Sequence, residues 1–149
     1  MQTTPSSFFS TAVSKSQNPA HAAEEILQQL QPLQDDLDES LILFFSGADF
    51  ALDQFSDALQ ISLPNAILAG ATTCGEITEG KLLKQSTVAM ALTSPVRAAA
   101  RLVPDLGAFR FDDGPTLLQN LAADLGLDLH HLQRNQDHYQ LLTLTDGLT

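Results

Sequence analysis

Residues 41–71 read LILFFSGADFALDQFSDALQISLPNAILAGA, and this stretch decides the fold. Leu41 to Phe45 is wholly apolar, too short for a helix and suited to a strand covered on both faces. Ala51, Phe55, Ala58 and Leu59 then recur at helical spacing, with Asp49 placed to cap the helix. Ile67 to Ala71 is a second short apolar run. Strand, helix and strand within about 30 residues make a βαβ unit, which implies a parallel pair with a right-handed crossover.

Downstream, Ser86 to Thr93 and Val96 to Val103 are joined by Ser94-Pro95 and read as an antiparallel hairpin. Upstream, Phe8 to Ser14 is a β-prone run. Asn18 and Pro19 then open a helix as cap and first residue, with Ala20, Ala23, Ile26, Leu27 and Leu30 on one face. Pro32 and the acidic group Asp35, Asp36, Asp38 and Glu39 close it as a solvated loop. Gly114-Pro115 begins a third helix, with Leu117, Leu118, Leu121 and Leu125 facing inward and Gly126 ending it. Tyr139 to Thr145 reads as a last strand. Its Leu141, Leu142 and Leu144 should be buried beside Leu41–Phe45 or Ile67–Gly70, which would set Asp146 on the same edge as Thr72 and Glu76. The expected fold class is α/β, a mixed and centrally parallel sheet with packed helices, in a single domain over residues 1–149. A flavodoxin-like doubly wound sheet is the alternative, and the 86–103 hairpin argues against it.

The 149 residues are enough for one domain with a real core. At 44% apolar residues the composition is that of a globular chain. No window reaches the roughly 18 continuous apolar residues of a membrane span, and the N-terminus lacks the basic and apolar regions of a secretory signal. A single cysteine excludes an internal disulfide framework and fits a reducing cytosol, so the expected location is cytoplasmic. A net charge of −11 with only 7 basic residues, none in a run, argues against nucleic-acid binding.

The candidate site is where the Ile67 strand surfaces. Residues 67–77 read ILAGATTCGEI, an apolar run that breaks into Thr72, Thr73, Cys74, Gly75 and Glu76. Ligands of open α/β sheets sit beyond the carboxyl ends of strands. Hydroxyls and backbone amides there can hold a carboxylate or phosphate, and Glu76 can take an ammonium. The plain structural reading is a tight turn with Thr73 and Glu76 as a capping box. Arg97 and Arg101 would share a face of their strand and could add a carboxylate site, against ordinary pairing with surface acids. Cys74 invites a nucleophile reading, a cysteine-dependent enzyme. That chemistry needs a base and an oxyanion hole, and His130, His131 and His138 lie far along the chain. Asp146 reads as a pocket lip or simply as part of an Asp-Gly turn. No phosphate loop, dinucleotide fingerprint, nucleophile elbow or zinc spacing is present.

Four blocks in order, LILFFSGADF, NAILAGATTCGEIT, STVAMAL and LLTLTDGL, resemble the N-terminal FIST domain. The family's central motif falls on Gly70 to Glu76 and its closing Asp-Gly-Leu on Asp146, Gly147 and Leu148. The resemblance implies a non-catalytic bacterial sensory domain. Such a domain binds a small polar ligand, with an amino acid as the expected class, and passes its state to a signalling partner. Some FIST-like proteins are haem-based sensors of nitric oxide, so haem on His130, His131 or His138 is the alternative cofactor reading. The family's domain continues past this motif, so the chain reads as the N-terminal part of a larger domain. An apolar edge left uncovered would then favour a homo-oligomer.

Overall fold

A computed structural model describes residues 8–78, 80–129 and 139–145. The chain forms two compact units, Met1–Arg97 and Ala98–Thr149. The first runs β1 (Phe9–Ser14), α1 (Pro19–Leu30), a 3-10 helix (Gln31–Glu39), β2 (Leu41–Gly47), α2 (Leu52–Ser62), β3 (Ile67–Thr73), β4 (Glu76–Thr78), β5 (Lys81–Leu83) and β6 (Thr87–Leu92). The second holds a 3-10 turn (Phe111–Asp113) and α3 (Gly114–Asp124).

The protein is a mixed α/β fold. Among the described residues the main sheet has the order β1-β6-β2-β3, and β4 and β5 make a separate two-stranded hairpin. β2 and β3 pair in parallel, with Leu41 opposite Ile67 and Gly47 opposite Thr73, so the βαβ unit forms. β6 returns antiparallel between β1 and β2, which sets the parallel pair at one side of the described sheet.

One sheet face carries Ala12, Ile42, Phe44, Ala89 and Ala91, all buried against α1 and α2. α1 supplies Ala22, Ala23, Ile26 and Leu30, and α2 supplies Phe55 and Leu59. The Phe55 ring meets Phe44 edge-on at 5.3 Å and Phe50 at 5.8 Å. The alternate β2 residues Leu41, Leu43 and Phe45 are half-buried, so the strand is sealed on one face and partly open on the other.

The ends of α1 follow the expected chemistry, since Asn18 Oδ1 accepts from the His21 backbone N–H at 3.0 Å and Pro19 opens the helix. β1 lies at the sheet's margin, and the Gln29 amide bonds both the N–H and the carbonyl of Val13, which blunts that edge. Gly126 follows α3 at φ +70°. Its N–H and that of Leu127 bond the Ala123 and Ala122 carbonyls, closing the helix as a Schellman motif.

Five expectations change. Asp49 does not cap α2: the helix begins after Ala51 without a side-chain cap, and the Phe50–Phe55 contact staples its entry instead. The stretch from Gln31 to Glu39 is a 3-10 helix rather than a loop, because Leu33 and Leu37 reach the core. Residues 96–103 form no strand: β6 already has β1 on one edge and β2 on the other, so no edge is left for a hairpin partner. The antiparallel β6 itself still rules out an all-parallel doubly wound sheet. Arg97 and Arg101 therefore share no strand face. Residues 139–145 form no strand either, and Leu141, Leu142 and Leu144 are exposed rather than buried. An apolar sequence becomes a buried strand only where a ladder partner is available.

Candidate functional site

β3 and β2 end together, and the chain turns there through Cys74 and Gly75 into β4. The turn sorts its side chains by direction. Thr72 and Cys74 are exposed, Thr73 is half-buried, and Glu76 is only 3% exposed. A carboxylate that deep must be hydrogen-bonded. Its Oε1 accepts from Thr73 Oγ1 at 2.7 Å and its Oε2 from Ser86 Oγ at 2.7 Å. Hydrogen bonds to charged groups contribute roughly 1.5–3 kcal/mol each. The Thr73–Glu76 pairing is thus real, but it joins two side chains across a strand turn and caps no helix.

β5 runs close to Gly75, leaving little room for a side chain. A Cβ there would lie 3.1 Å from Leu82 Cδ1 and 3.2 Å from the Leu83 carbonyl oxygen.

A row of hydroxyls crosses the sheet beside this turn. Ser14 faces Thr87, Thr87 faces Ser46, and Ser46 faces Thr72. Ser14, Thr87 and Ser46 are buried, and Ser46 Oγ lies 2.9 Å from Thr87 Oγ1. Ser14 Oγ donates to Glu25 Oε2 at 2.6 Å. Thr72 is the exposed end of the row. Next to it, the Ser86 carbonyl accepts from the Gly47 N–H and from Ser46 Oγ. Gln17 Nε2 donates to the Gln85 carbonyl at 2.8 Å, and Gln85 itself sits at φ +52°. The corner at residues 85–86 thereby ties together the β2 end, the β3–β4 turn and the loop before α1.

A groove of about 480 Å³ runs along β3 beside α2. Phe44, Leu52, Leu68 and Gly70 supply its apolar surface, and Asp53, Ser56, Asp57 and Gln60 of α2 its polar side. Residues on one face of a strand alternate, so Leu68, Gly70 and Thr72 follow one another along the same face of β3. The groove thus takes in the strand just before the expected turn, while the turn residues themselves lie outward or inward of it. A second hollow, about 260 Å³, lies within the other unit between Gln119, Ala122 and Leu127–Leu129.

Arg101 belongs to the second unit and pairs there with Asp124, Nη2 to Oδ2 at 2.6 Å, which is the ordinary surface pairing. Arg97 closes the first unit and is engaged by its own surroundings. His130, His131, His138 and Asp146 lie outside the described residues, as do Gly147 and Leu148. No group of three or more His, Cys, Asp or Glu among the described residues is arranged to hold a metal ion. No helix of the described residues is long and apolar enough to cross a membrane.

Sequence reasoning missed Ser46, Ser86, Thr87 and the α2 acids. The signal for the first three was present, since Ser46 ends the LILFFS run and Ser86-Thr87 opens STVAMAL. The acids at 53 and 57, one helical turn apart, lie outside the apolar positions 51, 55, 58 and 59 and belong to no motif.

The model of the FIST N domain matches residues 40–149 of this chain. Among solved structures, a point mutant of FtsZ from M. jannaschii is 23% identical with a TM-score of 0.37, covering 58% of this chain and 27% of that one. An empty FtsZ dimer from the same organism is 21% identical with a TM-score of 0.37, covering 58% and 26%. The chain spans about a quarter of the length of those structures. No curated protein matches it.

Proposed function

The chain belongs to the FIST N domain family, sensory domains of signal transduction. From that premise we propose that it binds a small polar ligand, an amino acid or similar metabolite, without catalysis, in the cytoplasm, and passes the bound state to a signalling partner. The observation that carries this reading is the groove along β3. Leu68 and Gly70 line it, Thr72 continues the same strand face, and the Asp53 and Asp57 carboxylates stand on its α2 side. An apolar floor with a few converging polar groups suits a small ligand. Asp53 and Asp57 are free to meet an ammonium, a task that Glu76 is too committed to perform. Thr72 and the backbone of the turn offer hydrogen bonds to a carboxylate.

The test is a thermal-shift screen of the whole chain against the twenty amino acids. At least one should raise the unfolding midpoint in a concentration-dependent way. Asp57→Asn and Thr72→Val should each abolish that shift while leaving the midpoint of the free protein nearly unchanged, because both side chains are exposed. If no amino acid stabilises the chain, or both variants respond like the parent, the reading fails.

A further inference from the structure

We propose that Glu76 is a positioning residue rather than a ligand contact: it bolts the Thr72–Gly75 turn to the start of β6 through Thr73 and Ser86. The inference rests on the reading that this end of β3 faces the ligand, and it assigns Glu76 a different task from the ammonium contact its chemistry first suggests.

Three observations converge. Glu76 is 3% exposed, so a ligand arriving from solvent would meet Thr72 and Cys74 before it. Both oxygens already accept a hydroxyl hydrogen bond at 2.7 Å, one from each element being joined. The Ser86 end is itself fixed, since the Ser86 carbonyl takes the Gly47 N–H and the neighbouring Gln85 carbonyl takes the Gln17 amide. A turn that protrudes from a sheet gains its shape from such anchors, because small residues such as Gly75 supply little packing of their own. The Glu76 bridge sets where Thr72 stands relative to the groove. It also connects any displacement of the turn to the 85–86 corner and on to the loop before α1.

Amide hydrogen exchange on the full chain, with no ligand added, tests this independently of what the site binds. Failure here therefore leaves the ligand reading standing, whereas a failed ligand screen removes the role in ligand positioning and leaves only the Glu76 anchor of the turn. Glu76→Ala should speed exchange of residues 72–76 and 85–87 by about tenfold or more while β2 amides at 41–45, away from the Ser86–Gly47 bond, keep the parent's rates. In Glu76→Gln the amide oxygen can still accept from Thr73 and its NH₂ can donate to Ser86 Oγ. That variant should stay within about threefold of the parent over the same residues. Ser86→Ala cuts one arm only and serves if the alanine variant does not fold: it should loosen 72–76 and spare β2. Uniformly faster exchange across the sheet, no change at the turn, or Glu76→Gln behaving like Glu76→Ala would each overturn the proposal.

Discussion

At Gly70 a side chain has nowhere to go. A Cβ there would fall 2.4 Å from both a Phe44 ring carbon and the Phe44 carbonyl oxygen. The ring cannot swing aside freely, since it is held edge-on against Phe55 in the core. Gly70→Ala should therefore destabilise the protein by roughly 1–3 kcal/mol through overpacking, read as a lower urea midpoint with an unchanged slope. A midpoint equal to the parent's would mean that Phe44 does not occupy that space. The residue scale is also where reading and structure part most sharply. The glycines at 70 and 75 stand where Phe44 and β5 come close. The direction of Glu76 was not legible, because a carboxylate in a polar run looks solvent-bound unless its partner is known. That partner, Ser86, lies ten residues away across a turn that composition alone does not shape.

At the scale of elements, periodicity and caps were informative where an element's own residues decide its state. The α1 cap, the three helices, β1, β2, β3 and β6 all follow from local pattern, with ends shifted by a few residues. Two strands were lost for one reason: strand character belongs to a pair, not a segment. Residues 96–103 alternate well, yet β6 has no edge left to offer, and residues 139–145 are apolar but form no ladder. The accompanying prediction is that amides of residues 96–103 exchange much faster than those of 87–92 in the same experiment, because only the latter sit in ladders. Equal protection of both segments would restore the hairpin.

On the scale of the whole molecule, the βαβ core delivers a groove flanked by an acidic helix and an exposed turn, within a chain of net charge −11. The charge identifies no ligand by itself, since acidic surfaces serve solubility generally. What distinguishes Asp53 and Asp57 is their place along β3, and that was invisible until α2 was set against the strand. The central claim is that the ligand sits on β3 between α2 and the Thr72–Gly75 turn. Backbone amide chemical-shift mapping by NMR, with the best stabilising amino acid titrated into the whole chain, tests it most directly. The account predicts saturable shifts confined to residues 53–60 and 68–76, with smaller ones at 85–87. Shifts centred instead on residues 119–129, or no shifts in any of these segments at saturation, would contradict it.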